Sequence, residues 1–182
     1  ERKIWNNGIS YVAGVDEVGR GSFAGPVVAA AVAFAPELAK SLKQKAKSIK
    51  INDSKKLTKK QREKANDWIK KNALTWGIGE ASATLINRIG MGKATKVAFR
   101  KAVKAANYKF QMSNFKIEYL LIDAFYVSYI RGLRRNLQRA IIKGDEKSIS
   151  IAAASIIAKV HRDNLMLSLS KKTKFKKYKW DS

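Results

Sequence analysis

Two apolar segments of strand length, residues 11–18 and 27–35, flank a short stretch that contains three glycines and a proline. Glycine and proline favour turns, and valine, which is frequent in both segments, favours strands. We therefore predict a hairpin. A third segment, residues 117–125, is almost continuously apolar, which is typical of a strand that is covered on both faces.

Helical signals follow the predicted hairpin. Thr58 with Gln61 three residues later forms a capping box at the start of a helix. Asp145 or Ser148 is a suitable cap for the final helix. The remaining pattern predicts a strand at 74–81, helices at 84–108 (with a break at its two glycines) and 149–169, and an exposed helix or loop at 39–50. This order of elements predicts an α/β domain with a mixed β-sheet flanked by helices.

The charge of the chain points to an acidic polymer as its partner. Lys and Arg number 38 against 14 Asp and Glu, which gives a formal charge of +24 and a pI near 10.3. A pI this high is typical of nucleic-acid-binding domains, because cations displace the counterions of the phosphate backbone. The alternative interpretation is a solvated basic surface with no specific partner.

Other residue types exclude several classes of chemistry. The sequence has no cysteine and one histidine. Disulfides, thiol nucleophiles, cysteine-ligated zinc and multi-histidine metal sites are therefore excluded. The lack of cysteine fits a cytoplasmic protein, and no apolar run is long enough to span a membrane.

The 182 residues suggest one domain with a short appendage. We expect one folded domain over residues 1–170 and a basic, aromatic-containing segment over 171–182. Because the sequence begins with Glu1, we also expect that it is not the complete gene product.

Four acidic residues occupy apolar surroundings. Asp16 and Glu17 lie at the end of the first apolar segment, and Asp123 ends the third apolar run. Asp163 shares a face of the final helix with apolar residues. A buried carboxylate needs a cationic partner or a metal, so each acid either pairs with a local Lys or Arg or helps to bind a divalent cation. Carboxylate ligands favour Mg²⁺ or Mn²⁺, and two such ions can promote hydrolysis of a phosphodiester.

One geometric difficulty concerns Asp16 and Glu17. Adjacent strand residues face opposite sides of a sheet, so both reach one site only if the strand ends or twists there. The glycines that follow make such a change of direction feasible.

Several blocks of the sequence resemble the type 2 ribonuclease H (ribonuclease HII) family. They occur in the order of the family and together cover about residues 12–166. The blocks read GVDEVGRG at 14–21, AGPVVAAA at 24–31, NDSKKL at 52–57, ID at 122–123, KGD at 143–145, and IAAASIIAKV at 151–160 followed by RD at 162–163.

The resemblance implies a ribonuclease H-like fold. It implies endonucleolytic cleavage of the RNA strand of RNA–DNA hybrids and incision on the 5′ side of single ribonucleotides in duplex DNA, leaving 3′-hydroxyl and 5′-phosphate ends. The expected partners are therefore such hybrids and duplexes, and we expect a monomer. By motif position, the metal-binding catalytic acids are Asp16, Glu17, Asp123 and Asp163.

The resemblance also implies contacts with the nucleic acid. The turn formed by Gly19, Arg20 and Gly21 reads the ribose in this family, and glycine lets backbone groups approach a ligand closely. The 2′-hydroxyl of that ribose is the local difference between RNA and DNA. Two helix starts add candidate phosphate contacts. These candidates are Ser54, Lys55 and Lys56 at the first, and Lys143 and Ser148 at the second.

The sequence departs from the family pattern at two places. A loop with a Gly-Tyr-Gly-Thr-like core follows the last helix in the family, and this sequence ends at Ser182 before such a loop. Tyr178 does not have the matching spacing. The residue after Asp123 is Ala124, where glycine is frequent in the family.

Two other classes of protein compete with this interpretation. A non-catalytic basic nucleic-acid binder fits the charge, but it does not explain four acids in apolar segments. A junction resolvase or integrase of the same fold fits the acids, but the Gly-Arg-Gly turn and the motif of the final helix argue against it.

Overall fold

The computed structural model describes residues 1–38, 51, 54–111 and 115–172. The predicted helix or loop at 39–50 and most of the basic segment at 171–182 lie outside the described residues. The strands are Val12–Val18 (β1), Val27–Ala33 (β2), Thr75–Ala81 (β3), Tyr119–Asp123 (β4) and Gln138–Ile141 (β5). The helices are Arg2–Trp5 (α1), Lys59–Asn72 (α2), Ala83–Ile89 (α3), Met91–Gln111 (α4), Gly144–Lys147 (α5) and Ile149–Ser170 (α6), and 3-10 turns lie at Ser54–Lys56 and Arg135–Leu137.

Within the described residues, the five strands form one mixed sheet in the order β3-β2-β1-β4-β5. The predicted hairpin is confirmed, because β1 and β2 pair antiparallel. β3 also pairs antiparallel with β2, whereas β4 lies parallel to β1 and β5 parallel to β4. The carboxyl ends of β1 and β4 consequently meet at one edge of the sheet.

Helices cover both faces of this sheet. One core lies between the sheet and α4 and includes Val15, Phe99 and Ile122. The other core lies between the sheet and α2 and α6, and Ile69 and Ile156 are buried in it. The predicted mixed sheet flanked by helices is therefore confirmed, and the central strands are apolar on both faces for this reason.

Helix α6 packs directly on β1 close to the predicted acids. A Cβ atom at Gly14 would lie 2.2 Å from the backbone nitrogen of Ile151, so a side chain at this position would separate the two elements. Glycine thus allows the first turn of α6 to approach the strand two residues before Asp16.

Most element predictions hold within a few residues. The capping box of α2 is present, with Gln61 N donating to Thr58 Oγ1 and Thr58 N donating to Gln61 Oε1. The predicted helical break falls at Gly90, between α3 and α4. The sequence analysis missed α1, α5 and the edge strand β5. No helix in the described ranges combines the length and the apolar character that a bilayer span requires.

Candidate active site

Asp16 and Asp123 lie at the ends of adjacent parallel strands. The β1–β4 ladder ends with the pair Val15 and Ile122, so these two acids are the next residues of their strands. The Asp123 carboxylate accepts a hydrogen bond of 2.8 Å from the backbone N–H of Gly144. The fold therefore brings residues from distant parts of the sequence to one edge of the sheet.

Asp16 is a buried carboxyl group whose ionisation is unfavourable. It is 6% exposed. Burial, with the charges of Glu17 and Asp123 adding to it, raises the pKa of Asp16 to about 7, although hydrogen bonds from Ser155 and the backbone N–H of Glu17 act against this rise. Its polar partners in the described part of the chain are thus neutral groups, which leaves the carboxylate charge uncompensated.

Glu17 joins the same electrostatic system from the next position of β1. Burial and the charge of Asp123 raise its pKa, while Arg20 opposes the rise. A guanidinium nitrogen of Arg20 lies 3.7 Å from Glu17 Oε1. The expected difficulty of bringing adjacent strand residues to one site remains, because β1 continues through Asp16 and Glu17 to Val18 in regular register with β2.

Asp163 is engaged differently from the other three acids. Its Oδ1 accepts a 2.6 Å hydrogen bond from Lys159 Nζ, and its Oδ2 lies 3.8 Å from a guanidinium nitrogen of Arg62. Local pairing, the alternative considered for each acid, thus describes Asp163. Its spacing of four residues from Lys159 on a helix is a signal that could have predicted the pair.

The acids near the ends of β1 and β4 are of the residue type that binds hard divalent cations. Asp16, Glu17 and Asp123 supply carboxylate oxygens, which Mg²⁺ and Mn²⁺ prefer. Among the described residues, acidic and histidine side chains do not form a cluster of three or more that could hold an ion as they stand. A cation at Asp16 and Asp123 would lower the cost of their negative charge.

The glycine turn after β1 is fixed to α6 by a buried arginine. Arg162 donates from Nε to the carbonyl of Pro26 and from a terminal nitrogen to the carbonyl of Ala24, at 3.1 and 2.7 Å. Gly19 has φ of +96°, and a Cβ there would lie 2.5 Å from Arg162 Nε, so both its conformation and its packing require glycine. By contrast, no described atom lies within 4 Å of the position that a Gly21 Cβ would take. The side of the turn at Gly21 is thus open to a ligand.

Ser54 forms part of a hydrogen-bond chain between the acids. Its hydroxyl is buried and lies 2.9 Å from the hydroxyl of Ser155, which in turn bonds to Asp16. Arg62, the partner of Asp163, donates to the carbonyl of Ser54 at 3.2 Å. The structure thus places the side chain of Ser54 inside the protein, whereas the sequence analysis proposed it as a phosphate contact.

The two predicted phosphate-binding segments lie beside each other. Lys56 Nζ forms a 3.0 Å ion pair with Glu146 in α5, and this contact joins the turn at Ser54–Lys56 to the segment that begins at Lys143. Lys55, Lys56 and Lys143 are exposed. Because Gly144 bonds to Asp123, this lysine-containing surface adjoins the acids.

Ser148 serves as the cap of α6. It is 2% exposed, and its hydroxyl accepts a hydrogen bond from the N–H of Ile151 and donates one to Glu1. The carboxylate of Glu1 also accepts from the N–H of Ser150. A phosphate contact by Ser148 would require Glu1 to leave this helix end.

Three polar residues near the acids were missed by the sequence analysis. They are Ser155, Arg62 and Arg162. Ser155 and Arg162 are buried in α6, and Arg62 is half-buried in α2. A polar residue among apolar helix positions is the signal that could have identified them.

The chain is similar to known proteins in both sequence and fold. The family model described as ribonuclease HII matches residues 13–182. Ribonuclease HII of Caldanaerobacter subterraneus subsp. tengcongensis is 44% identical over 91% of this chain and 61% of its own length. The corresponding protein of Aquifex aeolicus is 41% identical over 91% of this chain and 74% of its own length. The crystal structure of ribonuclease H2 from Pyrococcus horikoshii OT3 aligns with a TM-score of 0.70 at 27% identity, covering 88% of this chain and 76% of that chain.

The fold is therefore the ribonuclease H fold, as its solved neighbour indicates. The chain spans 54–61% of the length of the first three curated relatives that it matches. On the strength of the family model and these identities, the chain belongs to the ribonuclease HII family.

Proposed function

We propose that this chain is a divalent-metal-dependent endonuclease that cleaves the RNA strand of RNA–DNA hybrids and incises 5′ of ribonucleotides embedded in duplex DNA. The observation that carries the proposal is the buried carboxyl of Asp16, which lies beside Glu17 and Asp123 and whose hydrogen-bond partners among the described residues are neutral groups. Burying a carboxylate without a cationic partner is costly, and a bound divalent cation would supply the positive charge that this carboxylate needs. Membership of the ribonuclease HII family supports the substrate class.

Asp16, Glu17 and Asp123 would hold Mg²⁺ or Mn²⁺, with Asp163 completing the set. Bound divalent ions supply a water activated for attack and stabilise the leaving oxygen, which yields 3′-hydroxyl and 5′-phosphate ends. The hydrogen bond from Gly144 orients Asp123, and the bond from Ser155 orients Asp16. Hydrogen bonds of this type fix the direction of the oxygens that bind a metal ion.

Recognition of the ribose is assigned to the turn of Gly19, Arg20 and Gly21. Arg162 holds the turn in place, and the open space beside Gly21 lets a ribose approach its backbone. An exposed backbone group of the turn can bond the 2′-hydroxyl, which DNA lacks. Lys55, Lys56 and Lys143 would contact phosphates from the adjoining surface.

Residues 1–170 would form the catalytic domain, acting as a monomer in the cytoplasm. Its products would enter the removal of ribonucleotides from DNA.

A cleavage assay on three duplexes tests this function. The duplexes are an RNA–DNA hybrid, a DNA duplex with one ribonucleotide, and an all-DNA duplex of the same sequence. We expect cleavage of the first two in Mg²⁺ or Mn²⁺, and none in EDTA. Asp16→Asn should abolish cleavage and retain binding, while the exposed Glu63→Gln serves as the matched control with normal cleavage.

Two outcomes would contradict the proposal. Normal cleavage by Asp16→Asn would refute the site assignment, and binding without cleavage by the wild type would favour the non-catalytic binder.

The affinity for nucleic acid should also fall steeply with salt, with log K changing by roughly 0.9 per neutralised phosphate for each decade of salt concentration. A flat salt response would refute the electrostatic part of the account.

A further inference from the structure

The segment between β4 and β5 differs in composition from the rest of this lysine-rich chain. Between Ala124 and Leu137 there is no lysine and no acidic residue, but there are three arginines and two tyrosines. Arginine has a planar guanidinium that stacks on rings, whereas the ammonium of lysine does not. This composition favours contact with flat, electron-rich groups over simple attraction to charge.

The tyrosines and arginines of the segment face the solvent. Tyr129 is 91% exposed, and Tyr126 is also exposed. The guanidinium carbon of Arg135 lies 4.3 Å from the centroid of the Tyr126 ring, so the guanidinium sits over the face of this ring. Arg131 and Arg134 are exposed nearby in the sequence.

A buried amide holds this segment in a defined shape. Gln138 accepts a hydrogen bond from the N–H of Val127 and donates to the carbonyls of Val127 and Leu133. The side chains of Val127 and Leu133 are buried in the core. The exposed rings therefore project from an anchored backbone, and less conformational entropy is lost when they bind a ligand.

The backbone at Tyr129 supports the same conclusion. Its φ of 62° lies in the left-handed region, which a bulky aromatic residue rarely adopts. Such a conformation is strained and is frequent at functional sites. The strained residue is the one whose ring is almost fully exposed.

The segment is continuous with the candidate active site. It begins directly after Asp123, and its Phe125 ring lies 5.2 Å from the guanidinium carbon of Arg20 in the glycine turn. Arg100 in α4 also contacts the segment and donates a hydrogen bond of 3.1 Å to the carbonyl of Ser128. A nucleic acid held at the acids and the turn would thus have this segment beside it.

We propose that Tyr126, Tyr129, Arg131, Arg134 and Arg135 form a stacking surface for an unpaired nucleic-acid strand that extends from the duplex at the active site. The proposal rests on the proposed function, which places the duplex there. Unpaired bases expose their faces to aromatic rings and guanidinium planes, whereas bases inside a duplex are already stacked on each other. Because the segment itself contains no acidic residue, its arginine charges can contact the phosphate backbone of that strand.

Fluorescence anisotropy in EDTA, where cleavage does not occur, tests this surface. The probes are a blunt DNA duplex with one ribonucleotide, and the same duplex with an unpaired extension of about ten nucleotides, within the range of known single-strand sites. We expect the wild type to bind the extended duplex about tenfold more tightly than the blunt one. A variant with Tyr126→Ala and Tyr129→Ala should lose this preference, and Tyr108→Ala, an exposed tyrosine in α4, should keep it.

A second variant separates stacking from charge. Arg134→Lys with Arg135→Lys keeps both charges and should reduce the preference several-fold while preserving the salt dependence of binding. Equal affinity of the wild type for both probes would overturn the inference, as would an unchanged preference in the tyrosine variant whose melting temperature matches the wild type. Cleavage of the blunt duplex in Mg²⁺ by the wild type is measured in parallel, so failure of the proposed function is distinguished from failure of the stacking surface.

Discussion

Replacing Asp16 by Asn should stabilise the metal-free protein in a way that depends on pH. The pKa of Asp16 is about 7 in the folded protein against 3.8 for an unperturbed aspartate. The folded state therefore holds a proton that the unfolded state has already released between these values, so wild-type stability falls as pH rises through this window. At about 1.4 kcal/mol per pH unit, the loss reaches roughly 4 kcal/mol above pH 7.

The Asn variant cannot ionise and escapes this loss. In EDTA, urea denaturation should show the variant to be more stable than the wild type by a few kcal/mol near pH 8, with little difference near pH 4. The raised pKa of Glu17 comes from its own burial and from Asp123, which the substitution leaves in place, so its contribution largely cancels in the comparison. The exposed Glu63→Gln provides the control and should follow the wild type at every pH. A variant whose advantage is the same at both pH values, or absent, would refute the reasoning.

Further substitutions test the packing around the site. Gly14→Ala should lower the free energy of unfolding, measured by urea denaturation, by more than about 2 kcal/mol. The new Cβ would lie 2.2 Å from the backbone of Ile151, and relieving this clash requires backbone movement. A variant as stable as the wild type would refute the packing argument. Ala124→Gly should raise the free energy of unfolding by up to about 1 kcal/mol, since Ala124 has φ of 64°, where an L-residue is strained and glycine is not; a clear loss in thermal melting would contradict this. Arg162→Met should cost about 1–3 kcal/mol and raise KM for a ribonucleotide-containing duplex, because two turn carbonyls lose their donor; an unchanged KM would show that the turn does not need this support.

Much of the sheet and its helices could be predicted because their signals are local. Apolar runs bounded by glycine define β1 and β2, and the Thr58–Gln61 box defines the start of α2. The edge strand β5 could not be predicted in this way. Its four residues include the exposed Arg139 and the buried Gln138, and its pairing with β4 is what makes it a strand.

The candidate site was only partly accessible to sequence reasoning. The positions of Asp16 and Asp123 follow from strand ends, so their proximity could be predicted from a parallel pairing. The orientations of the other predicted site residues depend on tertiary contacts. Ser54 and Ser148 turn inward because Ser155 and Glu1 supply partners from distant parts of the chain, and such partners leave no periodic signal in the sequence.

The most direct test of the metal site is a titration with Mn²⁺ alone, followed by the EPR signal of the free ion. The wild type at pH 8 is compared with a variant that carries Asp16→Asn and Asp123→Asn, both in the absence of nucleic acid. The wild type should remove Mn²⁺ from solution, and the variant should leave the free-ion signal close to that of buffer, because the carboxylates that would hold the ion are gone. Coincident binding curves for the two proteins would contradict the assignment of a divalent-cation site to these acids.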